Sequence, residues 1–194
     1  MFGTKILEER KSKFNGNIRV LKTWGMGTYI QVGGLTQSGG IVSTIWESTL
    51  SKIRNPKLEI RKVLILGLGG GTVAKLVRQN WPDAKITGVE IDKNMVELGK
   101  KYLELRDVDI KIGDALKFRL KKHDLIIVDT YLGDKFVDLA DFNFKNAKLV
   151  IFNRLYYRDK KSEAEKFGKK LQKIFNKVEY YYPPANLMFF CYNK

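Results

Sequence analysis

Three carboxylates stand just past the ends of strand-like stretches: Glu90 after residues 86–89, Asp114 after 108–112 and Gly113, and Asp129 after 123–128. Each run reads as a β-strand, and strand C-termini of an open α/β sheet line one edge, which is where ligands bind. A carboxylate at the tip of the second strand can accept from both hydroxyls of a ribose, so Glu90 proposes a ribonucleoside site. Asp114 is placed to accept from an adenine amino group, and Asp129 to face the reacting end. Taken singly, Asp114 or Asp129 fits a helix cap or a turn former as well. Together the three mark a pocket.

The elements that position them centre on residues 63–92, VLILGLGGGTVAKLVRQNWPDAKITGVEID. A continuous apolar run breaks at Gly67 into Gly69, Gly70 and Gly71, and Thr72 opens a helical pattern through Val73, Leu76 and Val77. That is a buried parallel strand feeding a helix N-terminus. Glycines there let the backbone approach a ligand, and the first helical amides can meet a polar group. A dinucleotide fingerprint needs a third glycine where Thr72 stands, which favours a nucleoside cofactor without phosphates.

Around this unit the chain alternates. Residues 17–24, 28–32 and 40–45 are β-rich and separated by glycine turns, which predicts a small antiparallel unit over residues 1–56. Residues 46–53 read as a short helix ending before Pro56, and the α/β part over 57–194 follows. Residues 95–105 carry a helical apolar face capped by Asp92. Residues 136–144 form an aromatic-rich connection, 147–152 a fifth strand, and 162–175 a lysine-faced helix turning Phe167, Leu171, Ile174 and Phe175 inward. Residues 178–182 and 187–192 end the chain as an antiparallel pair. Five alternating β/α units followed by a hairpin predict a mostly parallel sheet with one reversed strand.

Composition bounds the partners. The formal charge of +15 keeps nucleic acid as an alternative partner and opposes a polycationic substrate through long-range repulsion. No apolar run approaches a membrane span, and the N-terminus lacks a signal region. Cys191, the single cysteine, suits the cytoplasm. One histidine and one cysteine offer no metal-ligand cluster; Asp129 with Asp134 reads as loop acids rather than a magnesium pair. His123 reads as a strand start. Trp24, Tyr29 and Trp46 fit either an acceptor pocket or the hairpin core.

The runs VLILGLGGGTVAKL, TGVEIDKNMVELGKKYL, IKIGDALKF and HDLIIVDTYLGD, with TYIQVGGLTQSGG at 28–40, resemble the spermidine synthase family and its methyltransferase-type members. The resemblance implies a Rossmann-like class I methyltransferase fold: a mostly parallel seven-stranded sheet with a C-terminal antiparallel hairpin and a small N-terminal β-hairpin unit. It implies S-adenosylmethionine or its decarboxylated form as cofactor. Gln37 would contact the nucleoside, Glu90 the ribose, Asp114 the adenine, and Gly67 and Gly69 the sulfur side chain. Family members assemble through their N-terminal hairpins, so a homodimer is expected.

The departures fall on the amine side. Where aminopropyltransferases carry an aspartate in the glycine loop, a base aspartate after the fourth strand and a tyrosine before a glutamate, this chain has Gly70, Leu132 and about Ile45. An amine nucleophile must lose a proton to attack, and a leucine cannot take it. The expectation is therefore a methyltransferase acting on an unnamed small molecule, with Asp129 and Tyr131 orienting the acceptor or taking its proton and Asp129 also bordering the cofactor. Polyamine aminopropyl transfer and a catalytically idle, nucleic-acid-binding fold are the alternatives.

Overall fold

The computed structural model describes residues 3–53 and 58–193. The chain opens with a four-stranded antiparallel sheet, β1 (Lys5–Ser12), β2 (Gly16–Thr23), β3 (Gly27–Val32) and β4 (Leu35–Gly39), in sequence order. Ile18, Val20, Ile30 and Val32 alternate to one face and bury against Met95 and Leu98. β1 is absent from the expected elements because its sequence, KILEERKS, is mostly charged. It is an edge strand fixed by ion pairs: Glu8 accepts from Arg10 (2.6 Å), Lys101 (2.7 Å) and the Tyr102 hydroxyl (2.8 Å). These donors pull its carboxyl down to about 2.

Residues 40–45, expected as a strand, begin a helix instead: α1 (Gly40–Leu50). Their β-branched residues favour strand locally, yet Ile45, Trp46, Thr49 and Leu50 recur at helical spacing and all bury, and that packing wins. The helix expected over 46–53 is thus the second half of α1. The expected stop before Pro56 and the boundary between 56 and 57 lie outside the described residues.

The main sheet follows: β5 (Lys62–Leu66), α2 (Thr72–Asn80), β6 (Lys85–Glu90), α3 (Lys93–Tyr102), β7 (Asp109–Ile112), β8 (His123–Val128), the two-residue strands β9 (Tyr131–Leu132) and β10 (Lys135–Phe136), β11 (Ala147–Leu155), α4 (Lys160–Ile174), β12 (Lys177–Tyr181) and β13 (Asn186–Tyr192). Seven strands pair in the order β12-β13-β11-β8-β5-β6-β7, and β13 alone runs antiparallel to its neighbours. The fold class is as the sequence predicts. Two of the five β/α units differ, because β7 reaches β8 through a single 3-10 turn at Ala115–Lys117 and β8 reaches β11 through the β9–β10 hairpin and a loop.

Aromatic rings cover the face those missing helices would cover. Phe152 meets Phe144 (5.5 Å) and Phe167 (5.4 Å) edge-on, and Phe136 meets Phe167 at 5.2 Å. Ile174, expected inward, is 43% exposed, since the buried stripe of α4 runs through Ala164, Phe167, Gly168 and Leu171 and leaves it at the rim. The opposite face packs on α1, α2 and α3 around a fully buried Trp46. Among the described residues no helix is long and apolar enough to cross a membrane.

Parallel register sets the order of groups along one edge. Phe152 pairs with Val128, Val128 with Leu66, and Leu66 with Val89. The residues that follow, Asn153, Asp129, Gly67 and Glu90, therefore stand side by side, with Gly113 and Asp114 beyond.

Candidate functional site

The glycine loop is shaped by what it touches within the protein. A Cβ on Gly67, at φ +85°, would lie 2.1 Å from the Asp129 carbonyl oxygen, so the exit of β5 crosses the exit of β8 at a distance only glycine allows. A Cβ on Gly69 would meet Ser38 Oγ at 2.9 Å, and one on Gly70 would meet Ile30 at 2.7 Å. The side of each glycine where a Cβ would stand is thus taken by protein atoms. Gly70 N–H donates to Ser38 Oγ (2.8 Å), and Gly39 N–H donates to Thr72 Oγ1 (2.7 Å). Thr72, the departure from the dinucleotide fingerprint, ties the loop to the start of α1. Close helix packing comes instead from Gly99, whose Cβ would sit 2.4 Å from the Gly70 carbonyl.

Glu90 ends β6 and is 8% exposed. Its Oε2 accepts from Gly69 N–H (2.7 Å) and its Oε1 from Asp92 N–H (2.9 Å). Burial pushes its carboxyl above the usual range against the pull of those amides. A carboxylate has about four acceptor positions, so these amides leave capacity for a further donor. Asp92 caps α3 by accepting from Asn94 N–H (3.0 Å), as predicted. Asp114 caps the 3-10 turn through Oδ1 to Leu116 N–H (2.9 Å), a bond that does not use Oδ2.

Asp129 lies at the other end. Its Oδ2 accepts from Trp46 Nε1 (3.0 Å) and its Oδ1 from Asn153 Nδ2 (2.9 Å), while Asn153 Oδ1 accepts from Asn186 Nδ2 (2.7 Å). Enclosing protein pushes its carboxyl up to about 6, against the pull of both donors. The Tyr131 hydroxyl donates to the Asn153 carbonyl (3.1 Å) and accepts from Leu155 N–H (2.9 Å), so it is committed to the β11 backbone. Burial raises its pKa. Gln37 donates to the Gly133 carbonyl (3.2 Å), joining β4 to the β9–β10 turn.

One cavity of about 500 Å³ is lined by Gln37, Gly67, Gly69, Glu90, Asp114, Asp129 and Tyr131, every residue predicted for the site. Such a volume suits a single small-molecule ligand. Trp46 is also in its wall, whereas Tyr29 is buried in the hairpin core and Trp24 is 77% exposed in the β2–β3 turn. Asp134 faces Lys160 (3.5 Å). His123 meets the Lys121 carbonyl through Nδ1 (2.9 Å) at the opposite edge of the sheet.

Sequence reasoning missed Ser38, Asn153 and Asn186. Asn153 carried a readable signal: it is a polar amide after the apolar run LVIF, in the position where Glu90 and Asp129 follow theirs.

Residues 63–147 match the family described as Methyltransferase domain. A stretch of 102 residues is 31% identical to the eEF1A lysine and N-terminal methyltransferase homolog of Drosophila melanogaster, covering 50% of this chain and 15% of that protein. Over 216 residues the chain is 29% identical to the polyamine aminopropyltransferase of Clostridioides difficile, covering 95% of this chain and 75% of that enzyme. The structure superimposes on spermidine synthase in complex with the transition-state analogue AdoDATO with a TM-score of 0.77, at 18% identity, over 98% of this chain and 73% of that one. The chain spans less than half the length of several curated relatives it matches.

Proposed function

We propose that this chain, which has the spermidine synthase-like class I S-adenosylmethionine-dependent methyltransferase fold, transfers a methyl group from S-adenosylmethionine to a small acceptor. The observation that carries this reading is one cavity lined by every residue expected to hold the cofactor, with Leu132 at the position expected for an amine's base. Glu90 is buried and lines the cavity, Asp114 lies one strand away, and Leu132 is in the same wall. A buried carboxylate pushed above its usual range gains most from two hydroxyl donors, so the pair Glu90 and ribose fits.

In this reading Glu90 holds the ribose, Asp114 the adenine amino group, and Gly67, Gly69 and Gln37 the rest of the cofactor. When bound, S-adenosylmethionine supplies a methyl carbon already activated by its sulfonium. The protein's part is to align the nucleophile in line with it. Asp129, one strand from Gly67, stands at the acceptor end, and Tyr131 serves as a fixed wall. Buried Cys191 suits a reducing compartment, and the cytoplasm is the proposed location.

Similarity to an aminopropyltransferase over nearly the whole chain supports a second reading, polyamine aminopropyl transfer. Parallel calorimetric titration with S-adenosylmethionine and its decarboxylated form separates the two. Tighter binding of the intact cofactor is expected; preference for the decarboxylated form reverses the order, and binding of neither overturns both.

A further inference from the structure

The acceptor half of the cavity has an unusual balance. Ile41, Val42 and Ile45 of α1 line it together with Leu132, Leu155 and Pro184, and Asp129, bonded to Trp46 of α1, is the single carboxylate lining this end among the described residues. Most of the other polar side chains there are tied into the fold, and Tyr157, Gln37 and Asn186, which also line the cavity, carry neutral oxygen atoms but no second charge. The Tyr131 hydroxyl both donates to and accepts from the β11 backbone, Asn153 bridges Asp129 and Asn186, and Gln37 Nε2 holds Gly133.

This donor and acceptor count discriminates between acceptors. An ammonium brings a full charge and three N–H donors, of which Asp129 can take one or two, leaving the rest to neutral oxygens or aliphatic side chains. A diamine adds a second charge with no acid to meet it. A hydroxyl carries one donor, which Asp129 satisfies alone. The carboxylate is held by two neutral donors, Trp46 and Asn153, and by no cation among the described residues, so it remains basic toward that hydroxyl.

Resting on the methyl-transfer reading, we propose that the acceptor is a compact phenol, an uncharged and largely apolar molecule whose hydroxyl points at Asp129. The acceptor oxygen gives its proton to Asp129 and a lone pair to the methyl carbon of the sulfonium donor, whose carbon–sulfur bond breaks with both electrons staying on sulfur. The products are an aryl methyl ether, S-adenosylhomocysteine and a protonated Asp129. A phenol, with a pKa of about 10, gives up its proton to the adjacent carboxylate far more readily than an aliphatic alcohol nearer 16.

The full chain loaded with S-adenosylhomocysteine provides the binding test. Calorimetric titration with 4-ethylphenol is expected to saturate, with 2-phenylethylamine and putrescine at least about tenfold weaker. With S-adenosylmethionine instead, mass spectrometry is expected to show 4-ethylphenol gaining one methyl group on oxygen. Asp129→Asn should keep S-adenosylmethionine affinity within about threefold, which reports that it folds, and lower ether formation about 100-fold. Leu132→Asp, which places an acid in the apolar wall, should shift binding toward 2-phenylethylamine. Tighter binding or methylation of either amine overturns the phenol assignment, as does a loaded protein that binds no phenol. A protein that fails to bind S-adenosylhomocysteine overturns the transferase reading itself, a result read before any acceptor is added.

Discussion

At Glu90 one carboxylate serves the loop and the cavity together, since Gly69 and Asp92 amides already rest on its two oxygens. Glu90→Ala should weaken S-adenosylmethionine binding by roughly 2–3 kcal/mol, the loss of charge-assisted hydrogen bonds, and should lower the melting temperature by orphaning two amides. Calorimetry beside thermal unfolding checks both, and an unchanged dissociation constant removes Glu90 from the ribose. Asp129 carries a pH signature. Its carboxyl titrates at about 6 in the fold against an ordinary 3.8, so the folded state holds the proton more tightly than the unfolded chain. Its contribution is therefore most favourable below about pH 4 and falls as pH rises through 6, by about 3 kcal/mol. Urea unfolding at pH 4, 5, 6 and 7 should show Asp129→Asn lacking that decline relative to the parent. Trp46→Phe removes a donor that lowers this carboxyl and should move the decline to higher pH.

The elements that place these residues meet at contacts with no room to spare, and Gly99 is the sharpest. Alanine there would favour the helix by about 1 kcal/mol on propensity alone. Its Cβ would lie 2.4 Å from the Gly70 carbonyl, however, so α3 or the glycine loop must move. Gly99→Ala should thus cost about 1–3 kcal/mol in denaturant unfolding and weaken S-adenosylmethionine binding as the loop shifts. A more stable variant with unchanged binding would show that the loop has slack. The same contacts mark how far sequence could be read. Strands β5, β8 and β11 announce themselves because burial on both faces makes continuous apolar runs of their cores, and the polar residues that follow, Asp129 among them, inherit their placement. The start of α1 and the edge strand β1 did not, because β-branched residues in one and charges in the other mask elements held by tertiary contacts. Glycine positions were visible, but their partners across the fold, Asp129, Ser38 and Ile30, are long-range facts that no local pattern encodes.

Over the whole molecule the +15 charge sets what approaches and at what salt. A nucleic-acid ligand neutralising several phosphates would release counterions, with log K falling by about 0.9 per phosphate for each unit of log salt. A cofactor held as proposed, beside Glu90 and Asp114, would make contacts shorter than the Debye length of about 8–10 Å, which salt screens little. S-adenosylmethionine affinity should therefore change by no more than about twofold between 50 and 300 mM salt. Spermidine should compete for the site weakly at every salt concentration, and least at low salt, where repulsion from the lysine-rich surface is strongest. Titration of both ligands across that range decides the matter. A steep loss of S-adenosylmethionine binding would place its recognition on surface charge, and strong spermidine competition at low salt would mean that local acids overcome the field of the whole chain, as a polyamine enzyme requires.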